Sequence, residues 1–276
     1  MTVEGRVFDE ERALYGVKDT LVRDCRFEGP ADGESALKES ARVTVDSCHF
    51  ALRYPFWHCT GLSIMSSEMT DGCRAPLWYS RDIWISDTRI HGTKALRECG
   101  GVRIGDSDIL SEEFGWSVKG LHIENSKVAG AYAFLRAEKL CLQNVTFSGK
   151  YSFQYVKGAQ LYGCTLDTKD AFWHTKNVTV CDSVLAGEYL GWYSEGLTLI
   201  RCKIVGTQPL CYAKRLRLID CEMEACDLAF EKSDVRATLL GHVDSIKNPH
   251  KGKIVLNSVG EILRDDKDAR CAVVIK

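Results

Sequence analysis

The chain reads as an all-β protein: a single-stranded, right-handed parallel β-helix of about eleven 19-residue coils with end caps. Three observations predict this. Five consecutive 19-residue segments, starting at Gly120, Lys139, Gly158, Asn177 and Gly196, superimpose without a gap. Apolar residues recur at fixed offsets within them, and five of the six tryptophans fall in one column. A short fixed period means stacked coils, none of which can bury its apolar face alone.

With each coil numbered 1 to 19, earlier coils start at Asp19, Arg42, Gly61, Asp82 and Gly101, and a last clear one starts at Arg215. The coil from Asp19 is four residues longer and that from Gly61 two. Positions 2 and 4 hold Val, Leu or Ile almost throughout, such as Val43 and Val45, Ile83 and Ile85, Leu121 and Ile123. That period-2 alternation predicts a strand opening each coil. Position 9 (Phe27, Phe50, Ile90, Phe147, Ile204) predicts a second short strand. Position 15 (Leu37, Phe56, Leu77, Phe134, Phe153, Phe172) predicts a third. Asp, Asn or Gly at position 6 and Gly at position 11 suit left-handed bends between them. Coils stacked at ~4.8 Å would make a rod on the order of 50 Å long. One domain spanning 1–276 follows, with a cap and half-coil at 1–18, coils at 19–233 and a β cap at 234–276. A right-handed turn is the default for parallel crossovers.

Composition narrows the function classes. The formal net charge is −2, so no sequence-wide case exists for nucleic acid or an anionic membrane. There is no run of 18 apolar residues, and the opening MTVEGRVFDEERALYG lacks the regions of a signal peptide, so a cytoplasmic location is expected. The 13 cysteines are odd in number and spaced with the repeat, which predicts free thiols. Five of them (Cys25, Cys48, Cys164, Cys202, Cys221) occupy position 7 as small apolar fillers. No C-x-x-C or clustered His set suggests a metal, and no Gly-rich phosphate loop suggests a nucleotide; no cofactor is expected.

Several stretches are distinctive: EERALYG (10–16), FEGPADGESALKES (27–40), LRYPFWH (52–58), KALREC (94–99), GKYSFQY (149–155), DTKDAFWH (167–174), GEYLGWYSE (187–195) and GTQPLCY (206–212). Through these the whole chain resembles an uncharacterised bacterial family of single-domain proteins with the pectin-lyase-like right-handed β-helix fold. The resemblance implies the fold. It implies no activity and no catalytic residue. The wider superfamily includes polysaccharide lyases and hydrolases, but a fold does not fix a function.

Every one of those stretches reaches into positions 13–17. Position 16 carries Trp57, Trp78, Trp116, Trp173 and Trp192, together with Lys38 and Arg97. Position 17 carries Glu39, His58, Tyr79, Glu98, Tyr155, His174, Tyr193 and Tyr212. A packing stripe is one reading. Lysine and arginine are rarely buried without a partner, which favours 15 inward and both 16 and 17 toward solvent. An exposed aromatic belt invites a cover. The leading expectation is a carbohydrate or other extended ligand held by Trp57, Trp78, Tyr79, Trp116, Tyr155, Trp173, His174, Trp192 and Tyr193. The alternative is a protein-interaction or self-association scaffold using the same belt.

An enzyme is a further option. Arg53 and Arg74 share position 12 of adjacent coils and would hold an acidic sugar, with Arg97 or His58 as base and Glu98 beside them. Simple ion pairing of Arg97 and Glu98 competes with that reading. Glu39 and Glu98 lie three coils apart, roughly 14 Å, too far for a glycosidase pair. Asp167, Lys169, Asp170 and His174 form a second, weaker cluster.

Overall fold

Apolar residues at positions 2 and 4 with polar ones between them build one long strand per coil, and the short strand follows across a left-handed corner. The computed structural model describes residues 1–29 and 34–276; part of the 27–40 stretch therefore lies outside the described residues. The chain is an all-β parallel β-solenoid of about 14 turns. It divides into two compact units, Met1–Cys141 and Leu142–Lys276.

In the first unit the long strands stack parallel and in register. Val43 pairs with Leu62, Leu62 with Ile83, Ile83 with Val102 and Val102 with Leu121. Val22, Val45, Ile64 and Ile85 are fully buried, while the residues flanking them are not. Short strands such as Arg26–Phe27, His49–Phe50 and Arg89–Ile90 stack beside them. Phe8, Phe27 and Phe50 form a buried ring column with centroids 5.0 and 4.6 Å apart. The two extra residues of the coil from Gly61 are absorbed at a 3-10 turn, Asp71–Cys73. Register holds on both sides of it, with Met69 opposite Ile90 before the turn and Ile83 opposite Val102 after it. The corner at position 6 is left-handed as expected, with φ of 46° at Asp87, 49° at Asp106 and 48° at Asn125.

The third strand does not form. In most coils positions 14–17 are turn, and positions 13, 15 and 17 repeatedly take positive φ: 59°, 64° and 56° at Tyr132, Phe134 and Arg136. Alternating hands send positions 14 and 15 both inward, as at Ala133 and Phe134, which a β-strand cannot do. Left-handed backbone costs an L-residue roughly 1 kcal/mol or more. Neighbouring coils offset this with hydrogen bonds running both ways: Glu113 N donates to Ala131 O (2.9 Å), Ser117 N to Leu135 O (2.8 Å), and Gly115 N back to Ala95 O (2.9 Å). Position 18 is a further inward column of small residues, among them Cys59, Ser80, Cys99 and Ala137. Two cysteines beyond those at position 7 are thus fillers, and burial pushes the Cys59 thiol up to about 12.

The second unit repeats the scheme. Ala159 pairs with Val178, Val180 with Leu199 and Leu199 with Leu218. Beyond residue 233 the coils continue rather than fold over as a cap: Leu216 pairs with Val235, Val235 with Gly252 and Lys253 with Ala272, all parallel. His242–Lys247 pairs with Ser258–Leu263 in a separate two-stranded ladder. At the other end residues 1–18 hold both strands of a coil, since Val3 pairs with Val22 and Phe8 with Phe27. The expected caps are therefore turns of the helix itself. Their backbone amides and carbonyls need partners, and the next coil's edge supplies them.

Candidate functional site

In the Met1–Cys141 unit, position 16 forms a mixed stack of cations and indoles. Lys38 Nζ lies 4.4 Å from the centre of the Trp57 ring, and Trp57 and Trp78 stack at 5.8 Å and 14°. The Arg97 guanidinium sits 5.4 Å from Trp78 and 5.4 Å from Trp116. Every residue of this stack is half-buried. The cations that argued against a buried column are thus held by aromatic faces, each contact worth about 0.5–1 kcal/mol. Trp116 Nε1 donates to Tyr132 O at 2.6 Å, whereas the Trp57 and Trp78 indole N–H groups are buried without a partner. Position 17 faces solvent: Glu39, His58, Tyr79 and Glu98 are exposed. His58 tilts against Tyr79 at 5.1 Å and 38°. Tyr15 Oη donates to Glu39 Oε2 at 2.6 Å, which raises the tyrosine's pKa.

The expected enzyme constellation is dispersed into other contacts. Arg97 pairs with Glu98 at 3.6 Å and reaches Glu113 at 4.0 Å while sandwiched between two indoles. A guanidinium is always protonated and here has no freedom to act as a base. Arg53 is engaged by Glu34 at 3.6 Å, and Arg74 is an exposed residue at the end of the Asp71–Cys73 turn.

In the Leu142–Lys276 unit, Trp173 and Trp192 stack at 5.5 Å and 5°, and their Nε1 groups donate to Tyr189 O (2.8 Å) and Gln208 O (2.7 Å). Outside them runs a ladder of four rings, Tyr155, His174, Tyr193 and Tyr212, with centroids 4.9, 5.0 and 4.9 Å apart and planes within 14°. His174 and Tyr193 therefore have both faces covered, and only edges and polar tips reach solvent. The second cluster also dissolves: Lys169 pairs with Glu188 at 2.8 Å, and His174 belongs to the ring ladder. Asp170 is 7 % exposed, and burial raises its carboxyl pKa against the opposing pull of Lys169.

A surface that the aromatic column overshadowed lies on the outward face of the long strands in the first unit. An open trough of about 800 Å³ runs there. Its walls include Trp84, Arg103, His122 and Lys139, and Gly61, Gly101 and Gly120 leave gaps along it. Trp84, Arg103 and His122 are direct neighbours on successive strands. Trp84 is 46 % exposed, and among the described residues no ring or cation lies against it. Arg42 is tied to Asp19 by two hydrogen bonds of 2.6 and 2.7 Å, and His122 approaches Glu124 at 3.7 Å. Arg103 and Lys139 have no carboxylate partner among the described residues. Ile83 and Ile85 at positions 2 and 4 point inward, so alternation alone places Trp84 outside.

A model of a protein family of unknown function, DUF3737, matches residues 1–276. The chain belongs to the DUF3737 family. No curated protein is significantly similar to it. Among solved structures it is similar to the A-module of the Azotobacter vinelandii mannuronan C-5 epimerase AlgE4, with 8 % identity and a TM-score of 0.32, covering 100 % of this chain and 90 % of that one. It is also similar to the catalytic domain of a GH87 α-1,3-glucanase, with 10 % identity and a TM-score of 0.26, covering 99 % of this chain and 63 % of that one. At these identities and scores the likeness concerns the coiled fold and carries nothing about chemistry.

Proposed function

We propose that this DUF3737 protein binds an extended carbohydrate without transforming it, and that the binding surface is the Trp84 trough rather than the tryptophan belt. One observation carries the reading. A sugar stacks on an aromatic face, and Trp84 offers one, whereas each of the five belt tryptophans already has a cation or a second ring against it. Arg103, His122 and Lys139 beside it supply hydrogen-bond donors toward hydroxyl or carboxylate groups. Catalysis is left out of the reading because the expected constellation is broken up: Arg97 is held between two indoles and paired with Glu98, and Arg53 is engaged by Glu34, which leaves His58 without its partners. The test is a calorimetric titration with neutral and acidic oligosaccharides. A buried tryptophan anchor is worth about 2 kcal/mol or more, so Trp84→Ala should weaken binding roughly 30-fold. Trp173→Ala should leave affinity unchanged. Equal affinity of Trp84→Ala and the parent protein would end the proposal.

A second reading rests on the ring ladder from Tyr155 to Tyr212. Its exposed edges, with Tyr155 at 46 % and Tyr193 at 45 %, fit a protein partner or a second copy better than a sugar. Sedimentation of Tyr155→Ser and Tyr193→Ser variants decides it: a shift from dimer to monomer supports the scaffold, and an unchanged monomer removes it.

A further inference from the structure

We propose a second binding site, on the outward face of the last long strands of the Leu142–Lys276 unit, for a ligand carrying consecutive phosphate or sulfate groups. Arg217, Arg236 and Lys253 stand opposite one another on three adjacent parallel strands, Arg217 with Arg236 and Arg236 with Lys253. All three are exposed. Neighbouring strands bring such side chains to ~4.8 Å spacing, and like charges directly opposite are destabilising.

Cations also stand opposite each other at Lys150 with Lys169 and at Lys157 with Lys176, but there Lys169 is ion-paired with Glu188 and Lys176 with Glu195. Arg42 faces Asp19, Arg89 faces Glu68, Lys169 faces Glu188 and Arg201 faces Asp182, while Lys203 reaches diagonally to Glu224, each across one coil step and each ion-paired. The run from Arg217 to Lys253 sets three cations in line, and none of the three has a carboxylate partner among the described residues. The acid that sits nearby is already taken: Asp234 accepts from His250 at 2.7 Å and from Lys251 at 3.2 Å. Those two contacts outweigh burial and lower its pKa, so it stays an anion committed to its own partners. Arg215 likewise pairs with Glu195 at 3.2 Å.

Two of the three cations, Arg217 and Arg236, border a recess. A cavity of about 550 Å³ is lined by Arg215, Arg217, Asp234, Arg236 and Lys251, with Gly252 contributing no side chain. Guanidinium groups match phosphate and sulfate oxygens two at a time. Three cations in line span about 10 Å by the strand spacing. One oxyanion reaches two of them, and a chain of oxyanion groups reaches all three. This site is separate from the Trp84 trough and does not depend on it.

The probes are orthophosphate, tripolyphosphate and a trisulfated disaccharide, titrated against the full chain at low salt. Tripolyphosphate or the sulfated sugar should bind at least tenfold tighter than orthophosphate, and whichever binds tighter names the source of the groups. Arg236→Ala should weaken that binding at least tenfold, and Arg236→Lys should restore part of it. Thermal unfolding gives an independent readout. Without anion, Arg236→Ala should melt higher than the parent protein because the repulsion is gone, and tripolyphosphate should raise the parent's midpoint more than the variant's. Binding unaffected by Arg236→Ala, or no gain from orthophosphate to the multiply charged probes, would overturn the site.

Discussion

At the scale of single residues, the belt shows how charge becomes structural. Arg97 packs between Trp78 and Trp116, so its loss removes two cation–aromatic contacts and some packing. Arg97→Ala should destabilise by about 1–2 kcal/mol in denaturant melts, while Glu98→Gln, at an exposed surface pair, should cost less than about 0.5 kcal/mol. Asp170 gives a signed pH prediction. Its folded-state pKa is raised by burial, so the folded state binds its proton more readily than the unfolded chain. Its contribution is most favourable below the unfolded carboxylate value, about 3.9, and is lost as pH rises through the raised value. Asp170→Asn should therefore stabilise the protein at neutral pH and change little at pH 3. A variant less stable than the parent at neutral pH would mean that the carboxylate is held by favourable contacts instead.

At the scale of elements, the inward residues of the long and short strands were legible because period-2 alternation is a strong signal, and Val45, Ile64 and Ile85 are buried as it predicts. The third segment was not legible as turn. Its left-handed positions hold Tyr132, Phe134, Arg136 and His174, residue types that announce no bend. What holds them there is hydrogen bonding to adjacent coils, a tertiary effect outside any local pattern. The glycines at position 11 are where the bend is dictated locally. Gly187 has φ of 143°, and a Cβ there would lie 2.1 Å from Thr168 O. Gly187→Ala should cost at least about 2 kcal/mol, read from the denaturation midpoint, because backbone and not a flexible side chain must give way. A near-neutral result would show that adjacent coils can shift apart locally.

At the scale of the whole molecule, the coil period carried the architecture as far as residue 233, and parallel pairing continues past it in turns whose sequence no longer matches. The last turns keep the pairing but lose the Asp, Gly and Trp columns that made the repeat visible. The candidate site was legible only in part. A column of five tryptophans drew the reading toward the belt, where each indole already has a ring or a cation against it. The sixth, Trp84, stood outside the column, and the isoleucines on either side of it were sufficient to place it on the surface. The net charge of −2 likewise conceals a local run of cations at Arg217, Arg236 and Lys253.

The central claim is that Trp84, and not the belt, presents the open aromatic face. Acrylamide quenching of tryptophan emission in the parent protein and in Trp84→Phe, with and without a bound oligosaccharide, tests it most directly. The account predicts a strongly quenchable component that is protected by the sugar and absent from Trp84→Phe. A quenchable, sugar-protected component that survives in Trp84→Phe would return the binding surface to Trp57, Trp78, Trp116, Trp173 and Trp192 and contradict the account.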